Sequence, residues 1–183
     1  VYNVLAIHGV IALDVQESVM ELPSFFGVVA YRVGDHVVTL DEIENGILRR
    51  NAPHPVSKAP LFDDDDPRLA LCPSHVDARI HAALVCASTS CPPVGFYDAE
   101  RLDAQLDAAA NHYVATDVEV DHEERVIRVP ITFRYYEPDF GRRAGIDLFL
   151  LRHATPEQRP ALERAIAARY PLAYHRYDWT LNT

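Results

Sequence analysis

Two strand pairs shaped as hairpins, each set between helix signals, constrain this chain more than any other feature of its sequence. The first is AYRVGDHVV, within residues 28–39, where β-rich runs flank Gly34-Asp35 and glycine takes the first position of a two-residue turn. The second joins residues 118–120 to residues 126–133 around residues 121–124, with Pro130 expected at a sheet edge or a bulge. Helices outnumber strands, and strands joined as hairpins pair antiparallel. The expected class is α+β, a single domain over residues 1–183 with helices packed on a small, mainly antiparallel sheet. Val1 already stands inside a helical pattern, so the domain is expected to lack residues upstream of it.

The helix signals are mostly local. Residues 1–13 (VYNVLAIHGVIAL) are apolar at nearly every position and predict a mostly buried helix, interrupted by Asn3 and His8. A lone histidine there is expected as a hydrogen-bonded core residue. Thr39 and Glu42 have the spacing of a capping box, which predicts a helix over residues 40–50. Residues 51–71, rich in proline and aspartate, predict a long surface loop. Asp98 is expected to cap a helix over residues 99–113, with Leu102, Leu106 and Ala109 on one face. Residues 145–152 predict a short apolar helix. Thr155, Pro156 and Gln158 start another that runs to residue 170. Residues 172–179, with Tyr174, Tyr177 and Trp179, predict a closing strand.

A chain of 183 residues buries about 70% of its unfolded surface and folds without disulfide or metal. The 27 acidic against 17 basic residues give a formal charge of -10, a field that repels phosphate backbones and argues against nucleic acid as partner. The aspartate run at residues 63–66 lacks the alternate spacing of an EF-hand loop and is expected to be solvated. No apolar run reaches the ~18 residues of a membrane span, and no signal peptide is visible. The compartment, exported or cytoplasmic, stays open. No GxGxxG, phosphate loop or GxSxG occurs, which points away from nucleotide cofactors and from a serine hydrolase elbow; no cofactor is expected. Three cysteines do not close a disulfide framework, though Cys86 and Cys91 are near enough in sequence to bridge in an oxidising compartment.

The chemistry-bearing segment is residues 77–93, DARIHAALVCASTSCPP. Residues 80–86 are read as a short strand carrying His81. Cys86, Ser88, Thr89, Ser90 and Cys91 follow it, stopped by Pro92 and Pro93. A thiol nucleophile must become a thiolate, and His81 is near both cysteines in sequence. The spacing does not match CxxC, and the helix expected near Asp98 starts too late to act on Cys91. A second reading is zinc held by His8, Glu44, His81 and a cysteine, without HExxH or paired CxxC motifs. In a third, the same polar groups form a buried, satisfied network in a binding module.

YNVLAIHGVI, LDEIENGILR, DARIHAALVCASTSCPP and YDWTLN, in this order along the chain, resemble the uncharacterised DUF547 family. The resemblance places Asn3, His8, Glu44, His81, Cys86, Ser88, Ser90 and Cys91 in motif positions. It also marks departures: Asn45 stands where the family commonly has histidine, and plant members often carry serine where this chain has Cys91. The enzyme it suggests is similar to papain-like and transglutaminase-like thiol enzymes. Cys91 is then nucleophile, His81 base, and Asn3 or Ser90 an oxyanion donor or orienter, in acyl transfer or amide hydrolysis on a small molecule or peptide. The alternatives are a non-catalytic module that recognises a protein partner, and a zinc-dependent hydrolase.

Overall fold

The computed structural model describes residues 1–182, and the fold is α+β. The chain divides into two compact units. One comprises Val1–Ile80, Leu84–Phe96 and residues 178–182; the other comprises His81–Ala83 and Tyr97–Tyr177.

The first unit begins with α1 (Tyr2–Ala12), which is apolar all round but uses only one face. Tyr2, Asn3, Ala6 and Gly9, at helical spacing, are buried, while Val4 and Ile11 remain exposed. The helix forms as expected, but the expectation that most of it is buried is corrected: one stripe meets the core. Tyr2 and Ala6 join Val15, Val19, Phe25, Val29 and Leu40 in that core. After α2 (Phe25–Val28), β1 (Ala30–Val33) and β2 (His36–Thr39) pair antiparallel with Val33 opposite His36. Their turn needs a positive φ at its first residue, and Gly34 supplies it at +59°.

The capping box forms: Glu42 N–H donates to Thr39 Oγ1 (3.1 Å) and Thr39 N–H to Glu42 Oε2 (2.8 Å). The helix behind it, Glu42–Leu48, is wider than an α-helix, closed by i to i+5 bonds such as Arg49 N–H to Glu44 C=O at 2.8 Å. Such wide turns recur at functional sites. A Cβ at Gly46 would overlap the Phe62 ring, so glycine there lets Phe62 dock on bare backbone. The loop over residues 51–71 is therefore anchored, with Asn51 Oδ1 accepting the Leu61 and Phe62 N–H groups (both 2.9 Å). Asp63, Asp64 and Asp65 are exposed. Asp66 caps the short helix Pro67–Leu71 and pairs with Arg68, which also reaches Glu42 at 2.9 Å. Arg68 holds the Asp66 carboxyl down at about 2.

The strand expected over residues 80–86 is absent. Ala78–Ala82 is instead a 3-10 helix, and residues 84–86 belong to no helix or strand. The physical reason is that Ile80, His81, Ala82, Ala83 and Val85 are all buried, so no alternation separates strand from helix, and three alanines favour the helix.

In the second unit Asp98 accepts the Arg101 N–H (2.9 Å), one turn ahead of α3 (Leu102–Asp117). The buried face of α3 is Leu106, Ala110, Tyr113 and Val114. Leu102, expected on it, is exposed because the helix starts later than predicted. The hairpin of β3 (Glu119–Asp121) and β4 (Val126–Val129) is extended by β5 (Leu172–Tyr174), which lies parallel to β4. The order β3-β4-β5 makes β4 central, and Pro130 ends it there, neither on an edge strand nor in a bulge. The chain then turns into α4 (Thr132–Tyr135), so the strand expected through Phe133 is corrected. The helices α5 (Arg142–His153) and α6 (Arg159–Ala167) belong to the crossover back to β5. Thr155 and Gln158 exchange their predicted capping bonds, both at 3.2 Å, and β5 stops at Tyr174, short of the expected residue 179.

Candidate functional site

The loop over residues 86–91 gathers its polar atoms tightly. Cys86 and Cys91 are paired as a disulfide with Cα atoms 6.2 Å apart, within the range for such bonds. The Cys86 N–H donates to Cys91 Sγ at 2.9 Å. The hydroxyl of Ser88, a wholly buried residue, lies 3.2 Å from the sulfur of Cys86 and 3.4 Å from that of Cys91. Ala87, with φ at +61°, makes the sharp bend that brings these groups together.

Main-chain bonds fix the ends and rim of this loop. Asn3, buried on α1, accepts the Val85 N–H on Oδ1 and donates from Nδ2 to the Gly95 carbonyl, both at 3.1 Å. Both ends of the loop are thus tied to one side chain. Ser90 Oγ accepts the Asp178 N–H (2.8 Å), Thr89 N–H donates to the Thr180 carbonyl (2.7 Å), and Asn182 N–H donates to Ala87 C=O (3.0 Å). The YDWTLN segment laces the loop on one side, and its other side is bound through Leu181 N–H to Glu17 C=O (2.7 Å) and Ser18 Oγ to Trp179 C=O (2.7 Å).

His81 belongs to the second unit, where its Nε2 is 2.9 Å from Asp139 Oδ2; the side chains are 2% and 3% exposed. Its ring stacks on Tyr136, with centroids 4.0 Å apart and planes 19° apart, and tilts against Phe140. An ionised Asp139 accepts, so the neutral imidazole keeps its proton on Nε2 and carries its lone pair on Nδ1. Sequence reasoning missed Asp139 and Tyr136. The available signal was a carboxylate inside the aromatic run FRYYEPDFG, residues 133–141, where an acidic group needs a buried partner.

Glu44 Oε2 accepts the Tyr2 hydroxyl at 3.3 Å. His8 is exposed, which corrects the expected core position, because it falls off the buried stripe of α1. It is hydrogen-bonded nonetheless: the Tyr31 hydroxyl donates to the Leu5 carbonyl (2.9 Å) and accepts from His8 Nδ1 (2.8 Å). Burial pushes the Tyr31 phenol up. The zinc arrangement is not assembled: among the described residues no group of three or more His, Cys, Asp or Glu is placed to hold a metal. Asn45, where the resemblance commonly has histidine, bridges Asp41 (3.5 Å) to the buried Arg49 (2.8 Å). Burial chiefly raises the Asp41 carboxyl, against the pull of His54, whose Nε2 is 3.7 Å away.

Among the described residues no helix is long and apolar enough to cross a membrane. No curated protein and no solved structure matches the chain. The profile of the family described as "Protein of unknown function, DUF547" matches residues 1–114, more than half of the sequence, and this chain belongs to the DUF547 family.

Proposed function

We propose that the domain carries out thiol-dependent acyl transfer or amide hydrolysis, with reduced Cys91 as nucleophile and His81 as general base. The observation that carries this reading is the buried His81–Asp139 pair at 2.9 Å, the relation of base to orienter found where a side-chain nucleophile is activated. The Cys86 N–H aimed at Cys91 Sγ supports it further, since a donor favours the thiolate. In the reaction His81 Nδ1 takes the thiol proton, the thiolate attacks the acyl carbon, and the imidazolium returns the proton to the leaving amine. Water or a second amine then releases the acyl group. Asn3 and Ser90 act as orienters of the loop, because their polar atoms serve main-chain partners. Glu44 and His8, bonded to Tyr2 and Tyr31, support α1. The substrate is a small molecule or peptide with an acyl group.

The test is a panel of amides, esters and short peptides offered to the reduced protein, with mass spectrometry for an acyl adduct. An adduct on Cys91 that vanishes in Cys91→Ala and His81→Gln is the expected result. A second reading, a non-catalytic module that binds a protein, is favoured by the same commitment of Asn3 and Ser90 to the backbone. Turnover with no adduct on Cys91, or no adduct from any member of the panel, overturns the thiol mechanism, and the second outcome favours the module.

A further inference from the structure

We propose that the bond between Cys86 and Cys91 is a redox cap on the loop, opened by an external dithiol that attacks Cys86 and expels Cys91. The cap stands on the sulfur pair itself; only its consequence for catalysis rests on the reading of Cys91 as nucleophile.

The loop does not need its covalent link to keep its shape. Asn3 ties Val85 and Gly95 together, Ser90 and Thr89 are bonded to the chain at Asp178 and Thr180, and Cys91 N–H donates to Ser88 C=O at 3.0 Å. When the bond opens, these contacts keep both sulfurs near the Ser88 hydroxyl, so closing again requires no refolding. Both cysteines are half-buried, which leaves the pair partly open to a small reagent.

The backbone also gives the exchange a direction. The Cys86 N–H already points at Cys91 Sγ (2.9 Å), so negative charge developing on Cys91 as the bond breaks meets a donor. A thiol whose pKa is lowered leaves faster. The thiolate of the dithiol attacks Cys86 Sγ, a mixed disulfide forms there, and the electron pair of the old bond goes to Cys91. The reagent's second thiol then displaces Cys86. Two electrons and two protons pass from the dithiol, which ends as its cyclic disulfide, to the protein, which ends with two thiols. The species released first is the Cys91 thiolate, the form that acyl chemistry needs.

The experiment uses the chain with Cys72→Ala, which removes the remaining thiol, so that every alkylated sulfur belongs to the pair. The protein is equilibrated with glutathione disulfide, then treated or not with dithiothreitol, alkylated with iodoacetamide and weighed. The expected result is no alkylation before reduction and a doubly alkylated chain after it. In single variants, Cys91 (in Cys86→Ser) should alkylate with a pH midpoint about one unit below that of Cys86 (in Cys91→Ser). Alkylation of both sulfurs without reductant overturns the cap, and a lower midpoint for Cys86 overturns its direction. The amide and ester panel is run in parallel. Thiols that open as described while the panel stays silent support the cap and count against the hydrolase. Turnover with the disulfide closed overturns the cap and leaves a hydrolase to be explained by other groups.

Discussion

Around Cys86 and Cys91, the side chains of Asn3 and Ser90 bind main-chain groups, whereas His81 in the second unit binds the side chain of Asp139. A side chain that satisfies backbone N–H and C=O groups holds shape, and its loss leaves buried orphans. A histidine bound to a carboxylate has its tautomer set and keeps a lone pair for proton transfer. Under the proposed function, Asn3 and Ser90 keep the loop in place and His81 with Asp139 serves the chemistry.

The contrast breaks most visibly at Asp139. Asp139→Asn leaves an amide that no longer requires the Nε2–H tautomer, and turnover or acyl labelling should fall by about a thousandfold with little change in folding. Labelling at the wild-type rate would remove Asp139 from the chemistry. Asn3→Ala should do the reverse. It orphans the Val85 N–H and the Gly95 carbonyl, and urea unfolding should report a loss of about 2–4 kcal/mol. An unchanged midpoint would show that the loop is held without this clamp.

Smaller effects are expected at the disulfide and at Asp41. Replacing both cysteines of the pair by serine should cost about 2 kcal/mol, mainly by freeing a short loop in the unfolded chain. The hydrogen-exchange pattern of the folded loop should hardly change, and a loop that becomes fully exchanging would show that the bond, not the clamps, keeps its shape. The smallest expected effect lies at Asp41. Its folded carboxyl is raised by burial, so the folded state binds the proton more tightly than the unfolded one. Its contribution to stability is then fully present below the unfolded value and is lost as pH rises through the folded one. The lowered carboxyls of Asp66, Asp77, Asp121 and Asp178 act in the opposite sense, so Asp41→Asn should make urea midpoints climb more steeply with pH across the acid range, and a profile parallel to the wild type would remove Asp41 from the pH dependence.

What the sequence revealed follows the range of the interactions involved. Thr39 with Glu42, Thr155 with Gln158, and Gly34 in its turn act over a few residues, and each takes the predicted part. Residues 80–86 carry no period that distinguishes strand from helix, because Ile80, His81, Ala82, Ala83 and Val85 are all buried. The parallel pairing of β5 with β4 carries no local signal at all. In the candidate site, Cys86, Ser88 and Cys91 were legible because they are close in sequence. Asn3 was flagged by its motif, but its grip on Val85 and Gly95 spans most of the first unit's chain length. Asp139 escaped notice because its partner is 58 residues away.

The proposed role of His81 toward Cys91 is tested by the rate at which Cys91 is labelled. The reduced protein and its His81→Gln variant, which keeps a donor for Asp139 but no imidazole base, are treated with an acyl-mimicking electrophile at one neutral pH, with urea unfolding of both as a control on folding. Labelling about a hundredfold slower in the variant is expected. Equal labelling rates for the two folded proteins would show that His81 takes no part.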